Sequence, residues 1–177
     1  MQRKEKINTC CSVCGETATP QSFTLRHYQI FACPQCNLRF APEAFDVPVD
    51  YDDVYASKRY YVEQVKPVSN VPKNLNRFVN KYRLFFETVS KESGVQLLDI
   101  GCGVGRFCHA AESQGWQVTG IEISTNAADI AKKFATFPII NATLTDLIKQ
   151  QQQFDVATAF EVLEHLTDPV GFLRQAR

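Results

Sequence analysis

From residue 95 onward, apolar runs of strand length alternate with stretches of helical period. Residues 95–100, 117–123, 138–141 and 154–160 read as strands, and 105–114, 126–134 and 144–152 as helices between them. This alternation predicts an α/β fold: a parallel, doubly wound sheet with helices on both faces. Ligands of such sheets bind at the carboxyl ends of the strands, beside the first βα turn. Upstream, Leu75, Phe78, Val79, Tyr82, Phe85, Phe86 and Val89 fall on one face of a helix that starts at Pro72 and ends near Gly94, opposite Lys73, Arg77, Asn80 and Lys81. That stripe is core-forming. Residues 23–31 are rich in β-formers and read as hairpin strands. Residues 41–50 carry two prolines and no period, and Tyr51, Tyr55, Tyr60 and Tyr61 come next. The predicted organisation is a small β module over 1–45, a tyrosine-rich connector over 46–71 and the α/β domain over 72–177.

Composition narrows the class. The 177 residues are 45% hydrophobic, 21% charged and 11% aromatic, within the globular range, so disordered, collagenous and coiled-coil readings are excluded. No apolar stretch approaches the roughly 20 residues that cross a bilayer, and the start leads into no apolar signal region, so a cytoplasmic protein is expected. Nineteen basic residues balance nineteen acidic ones, and nothing global attracts the chain to nucleic acid or to an anionic membrane. The one local excess is 58–83, where seven cations face only Glu63. A solvated helix face accounts for such a run, with a docking surface for a protein partner as the alternative.

Seven cysteines without a secretion signal point to metal or chemistry rather than disulfides. Cys11 and Cys14 form one Cys-x-x-Cys pair, Cys33 and Cys36 another, and 18 residues separate them. Two such turns at the ends of short antiparallel strands close a tetrahedral sulfur cage around zinc. Gly15 and Pro34 stand where the turns need them. So short a segment buries little apolar surface, which makes the metal a folding requirement. Cys10 offers an alternative first ligand, but Cys11 gives the symmetric spacing. The ribbon carries few basic residues, which favours bracing, substrate presentation or protein contact over nucleic-acid binding.

The stretch Asp99-Ile-Gly-Cys-Gly-Val-Gly105 places a strand, a glycine-rich turn and a helix start in order. Glycines let a ligand approach the backbone, and the helix amino terminus offers unpaired N–H groups. Glu122, 17 residues after Gly105 at the end of the second strand, is placed to accept both hydroxyls of a ribose. The loop departs from G-x-G-x-x-G, and Asp99 stands where a carboxylate can hold a ligand's amino group. Cys102 and Cys108 read as small buried residues rather than nucleophiles, and His27 and His109 as structural.

The loop with Glu122 resembles the first motifs of class I S-adenosylmethionine-dependent methyltransferases, and residues 154–169 resemble their fourth strand and the segment after it. The cysteine ribbon and tyrosine-rich connector are similar to a branch of that family with an amino-terminal zinc-binding segment. The resemblance implies S-adenosylmethionine as cofactor. Asp99, Gly101, Cys102 and Gly103 would face its methionine part, Glu122 its ribose and Ile123 its adenine. Thr143 would stand where the family commonly has an adenine-edge aspartate, with the Leu144 N–H beside it, and Phe160 would be a further cofactor-binding residue.

Methyl transfer leaves the protein to align an acceptor and, where needed, to remove its proton. If the chain after the fourth strand is helical, Glu161, Glu164 and His165 share one face. His165 then serves as general base, or the three bind a second divalent metal, or Glu161 orders the loop while His165 packs under the sheet. The reading is methyl transfer to a small-molecule, sugar or lipid-linked acceptor. A nicotinamide-dependent oxidoreductase or epimerase, and a non-catalytic ribbon module with a vestigial half-domain, stand as rivals. The family's sheet has seven strands and this chain reaches the fourth, so a fragment with an unpaired edge there is expected.

Overall fold

The computed structural model describes residues 9–45, 57–89 and 95–177. Tyr51, Tyr55 and the expected helix end near Gly94 lie outside them. The chain divides into two compact units, residues 1–49 with 163–177, and residues 50–162.

In the first unit, β1 (Thr19–Leu25), β2 (Tyr28–Ala32) and β3 (Arg39–Phe40) form an antiparallel sheet in that order. The two cysteine turns trace one backbone path. Gly15 N–H donates to the Cys11 carbonyl at 2.9 Å and Asn37 N–H to the Cys33 carbonyl at 3.0 Å. Both closing residues are left-handed, Gly15 at φ 76° and Asn37 at φ 60°, and asparagine is among the few side chains that accept that conformation. Asn37 is therefore the counterpart of Gly15, and Pro34 lies within the second turn as expected. The unit also holds 3₁₀ turns at Pro42–Phe45 and Leu163–His165 and a helix over Pro169–Gln175, capped by the Asp168 carboxylate on Gly171 N–H at 2.8 Å.

In the second unit, β4 (Gln96–Ile100), β5 (Gln117–Glu122), β6 (Ile139–Asn141) and β7 (Val156–Thr158) pair in parallel in the order β6-β5-β4-β7. The strand order reverses at β4, since β5 and β6 lie on one side of it and β7 on the other. With right-handed crossovers, the helices Arg106–Ser113 and Thr125–Phe134 cover one face and Leu144–Lys149 the other. This is the expected doubly wound sheet. Its fourth strand is three residues long, not seven, because only Val156–Thr158 registers with β4, Leu97 to Val156 and Asp99 to Thr158. Among the described residues β7 pairs on that side alone.

Two departures concern the helices before the sheet. The helix expected from Pro72 breaks at Tyr82, giving α1 (Val71–Lys81) and α2 (Arg83–Thr88). The apolar stripe still faces inward: Phe78 is fully buried, and the Tyr82 ring lies 4.9 Å from Phe107 and 5.0 Å from Phe160. Part of the expected connector is itself helical, α over Lys58–Tyr60 and Lys66–Val68 with a π-helical turn, Tyr61–Val65, between. Val65 and Val68 of this run pack with Phe78, Val104 and Ala110 in one buried cluster, and Tyr60 packs against it. No described helix is long and apolar enough to cross a membrane.

Candidate functional site

The four predicted cysteines converge. Cys11 Sγ lies 3.5 Å from Cys36 Sγ, Cys14 Sγ lies 3.3 Å from Cys33 Sγ, and all four sulfurs fall within 4.8 Å of one another. Ideal tetrahedral zinc–thiolate geometry spaces its sulfurs by about 3.8 Å, so the donor set and its size both suit that ion. Burial opposes ionisation of Cys11, but the N–H groups of Cys14 and Val13 with the Cys36 and Cys14 thiols bring its pKa down to about 7. The Glu16 N–H favours a thiolate at Cys14 too, but hydrogen bonding with Cys33, burial and the other two thiols push it up to about 12. Among the described residues this is the one group of three or more potential ligands with converging atoms. Cys10 is exposed and outside it.

The glycine loop hangs from the end of β4. Gly101 and Cys102 N–H groups both donate to the Ile121 carbonyl, at 2.9 and 3.0 Å, tying the loop to β5. Gly101 is exposed at φ 72°, and a Cβ there would sit 2.6 Å from Val162 Cγ2. Conformation and space both demand glycine.

Glu122 organises the neighbouring rim. Its carboxylate accepts from Gly103 N–H and from Ser124 N–H, each at 2.8 Å, and the residue is 2% exposed. One side chain thus fixes the glycine loop to the β5 exit. An ionised carboxylate only accepts, through about four lone-pair sites, so it can hold several donors at once. Ile123, the next residue, is 56% exposed and presents an apolar platform there. Asn141, at the end of β6, clamps the same exit: its Nδ2 donates to the carbonyls of Glu122 at 2.8 Å and Ile123 at 3.1 Å.

Asp99 lies beneath the loop at the switch point. Thr158 Oγ1 on β7 donates to its Oδ1 at 2.9 Å and the Cys108 thiol to its Oδ2 at 3.4 Å. Burial raises its pKa from 3.8 to about 7, with Thr158 and Cys108 opposing and Glu122 assisting. The acid is therefore largely neutral below that pH. Cys102 and Cys108 are buried, as expected.

Other expected site residues fare differently. Thr143 forms a reciprocal cap with Asp146, accepting from Asp146 N–H at 3.1 Å and donating to its carboxylate at 2.6 Å. Leu144 is the first residue of that helix, where the N–H has no intrahelical acceptor. Phe160 is 37% exposed and sits 4.7 Å from the Phe107 ring. The helical face expected for Glu161, Glu164 and His165 does not form. Glu161 is left-handed at φ 58°, and only a 3₁₀ turn comes after it, so the second-metal reading loses its basis. Glu161 instead pairs with Lys81 at 2.8 Å; burial works against the Lys81 charge, and this pair outweighs it, raising its pKa. Glu164 and His165 are exposed. His109 is 4% exposed, and burial lowers its pKa. Of the 58–83 cations, Arg59 and Arg83 pair with Glu63 and Glu87 on the surface, where such pairs contribute little.

A family model described as a methyltransferase domain matches residues 61–177. This chain belongs to that family. Among curated relatives of this methyltransferase-domain protein, the ubiquinone biosynthesis O-methyltransferase of Actinobacillus pleuropneumoniae is 34% identical over 94 residues, 48% of this chain and 40% of that protein. The Rhodopseudomonas palustris protein of the same name is 39% identical over 97 residues, 52% of this chain and 38% of that one. The chain spans about two fifths of the length of these curated relatives. Among solved structures, the plantazolicin methyltransferase BpumL in complex with a pentazolic desmethylPZN analog and SAH is 24% identical. It has a TM-score of 0.49, over 71% of this chain and 48% of that one.

Proposed function

We propose that this methyltransferase-domain chain binds S-adenosylmethionine across the carboxyl ends of β4 and β5, serves methyl transfer to a small-molecule, sugar or lipid-linked acceptor, and holds a structural zinc ion on Cys11, Cys14, Cys33 and Cys36. The observation that carries the cofactor reading is the Glu122 carboxylate at the end of β5, which fixes the glycine loop through Gly103 N–H and the β5 exit through Ser124 N–H, with an exposed Ile123 beside it. Bound S-adenosylmethionine supplies an electrophilic methyl group on a sulfonium. Glu122 orients the ribose, Ile123 covers the adenine, the Leu144 N–H meets its edge, and Asp99 beneath the loop answers the ammonium of the methionine part. Glu161, held by Lys81, orders the loop after β7. Kinship with ubiquinone biosynthesis O-methyltransferases favours an oxygen acceptor.

Calorimetric titration separates this from the nicotinamide reading: S-adenosylhomocysteine is expected to bind and NAD is not. NAD binding alone would overturn the proposal, and zinc with no S-adenosyl ligand binding would favour a non-catalytic module.

Asp99 adds a signature. In the free protein its pKa is about 7, and a ligand ammonium beside it stabilises the ionised form. Affinity for S-adenosylhomocysteine is therefore expected to rise with pH toward 7 and level off above it, with proton release on binding near neutrality. Titrations in buffers of different ionisation enthalpy measure that release, and Asp99→Asn should abolish it. Stability carries the opposite slope: between 3.8 and about 7 the folded protein holds a proton that the unfolded chain has lost, so this group's contribution falls as pH rises.

A further inference from the structure

Residues 64–86 carry five cations, Lys66, Lys73, Arg77, Lys81 and Arg83, and no carboxylate, in a chain whose charges balance overall. The rest of the chain is therefore five charges negative, and the charge is polarised along the sequence. The inner face of α1 is anchored: Phe78 is fully buried, and Val71 and Val79 pack beside it. Lys73, Arg77 and Lys81 recur at four-residue spacing, which places them along one side of that helix, and all three are exposed with Asn76 and Asn80. Lys81 pairs with Glu161 and Arg83 with Glu87. Lys66, Lys73 and Arg77, all exposed, form no ion pair among the described residues. Like charges four apart on a helix repel, and no acid within the run relieves them.

Aliphatic side chains stand out before and after these charges. Leu84 is 76% exposed, the most of any large apolar residue described, and Val62 is 51% exposed. The rings of Tyr82, Phe85 and Phe86 turn inward onto Phe107. Tyr61 is the one exposed ring among the described residues 57–89.

We propose that this face, α1 with Lys66 and Leu84, docks on the surface of an anionic phospholipid bilayer. Lysine-rich faces attract anionic head groups, and neighbouring aliphatic side chains enter the head-group boundary. A protein interface selects against lysine and gathers apolar residues at its centre, whereas lysine, arginine and asparagine hold the outer side of α1. Single-stranded nucleic acid needs aromatic platforms on which bases stack, and all rings of this run but Tyr61 are withdrawn. No described helix is able to cross the bilayer, so the contact is peripheral. The proposal does not rest on the cofactor reading.

Flotation with vesicles of phosphatidylcholine and phosphatidylglycerol in equal parts is expected to carry the protein at low salt, and vesicles of phosphatidylcholine alone to leave it behind. Salt should release it, since the screening length falls to about 3 Å near 1 M. Lys66→Ala, Lys73→Ala and Arg77→Ala should each weaken partitioning about fivefold, and the triple variant about 100-fold. Lys132→Ala with Lys133→Ala removes two exposed cations from another helix, and should change partitioning by less than about twofold if the α1 face carries the contact. Leu84→Ser should weaken it roughly fivefold without altering its salt dependence. Every substituted side chain is exposed, and circular dichroism should show an unchanged fold. No flotation with the anionic vesicles at low salt would overturn the proposal. So would flotation that the triple variant keeps, or that the Lys132 and Lys133 variant loses equally. Binding of an oligonucleotide or of polyglutamate that depends on the same three cations, with no vesicle binding, would assign the face to another polyanion and overturn it as well.

Discussion

Replacing Cys33 with serine is expected to leave residues 9–45 without metal and without a fold. Cys33 is 1% exposed and its sulfur is one corner of the four-thiol cluster. The ribbon's buried apolar side chains are few, Ile30 and Phe31 being the large ones, and each contributes only about 1.5–3 kcal/mol on burial. A structural zinc ion contributes roughly 10–16 kcal/mol in comparable peptides. Elemental analysis should find one zinc per wild-type chain and none in Cys33→Ser. The amide spectrum should lose the dispersed ribbon signals and keep those of the parallel sheet. Chelation of the wild type should reproduce the loss. A Cys33→Ser protein with an intact ribbon spectrum would end the structural-zinc proposal.

Glu122→Ala carries the second large effect. Two backbone N–H groups, of Gly103 and Ser124, would lose their shared acceptor. An orphaned buried donor costs about 1–3 kcal/mol. The melting temperature should fall by several degrees, and affinity for S-adenosylhomocysteine by about 100-fold or more, since loop position and the proposed ribose acceptor vanish together. Wild-type affinity in this variant would remove Glu122 from the cofactor site.

Much of this was legible along the chain. The glycine loop, Glu122 and the paired cysteines are local spacings, and the elements they predict, with the four-strand parallel sheet, are present. What stayed hidden depends on partners from different elements. Thr158 matters because β7 docks beside β4, and Asn141 because β6 ends level with β5; no spacing announces either. Arg106 reads as an ordinary helix start until Gln64 and Phe78 close over it. The helical face at Glu161 failed because its left-handed backbone ends the period at its first residue. Residues 58–68 lack a 3.6-residue rhythm because a π-helical turn interrupts them.

The matching cysteine turns have a kinetic consequence. Each offers two thiols from the same backbone path, closed at Gly15 in one and Asn37 in the other. Under the structural-zinc proposal, an arriving ion would meet two half-sites of like backbone path, and capture would begin at whichever is ordered first. Loading and exchange would then have two parallel routes, so slowing one turn would delay capture and release less than the loss of a thiol.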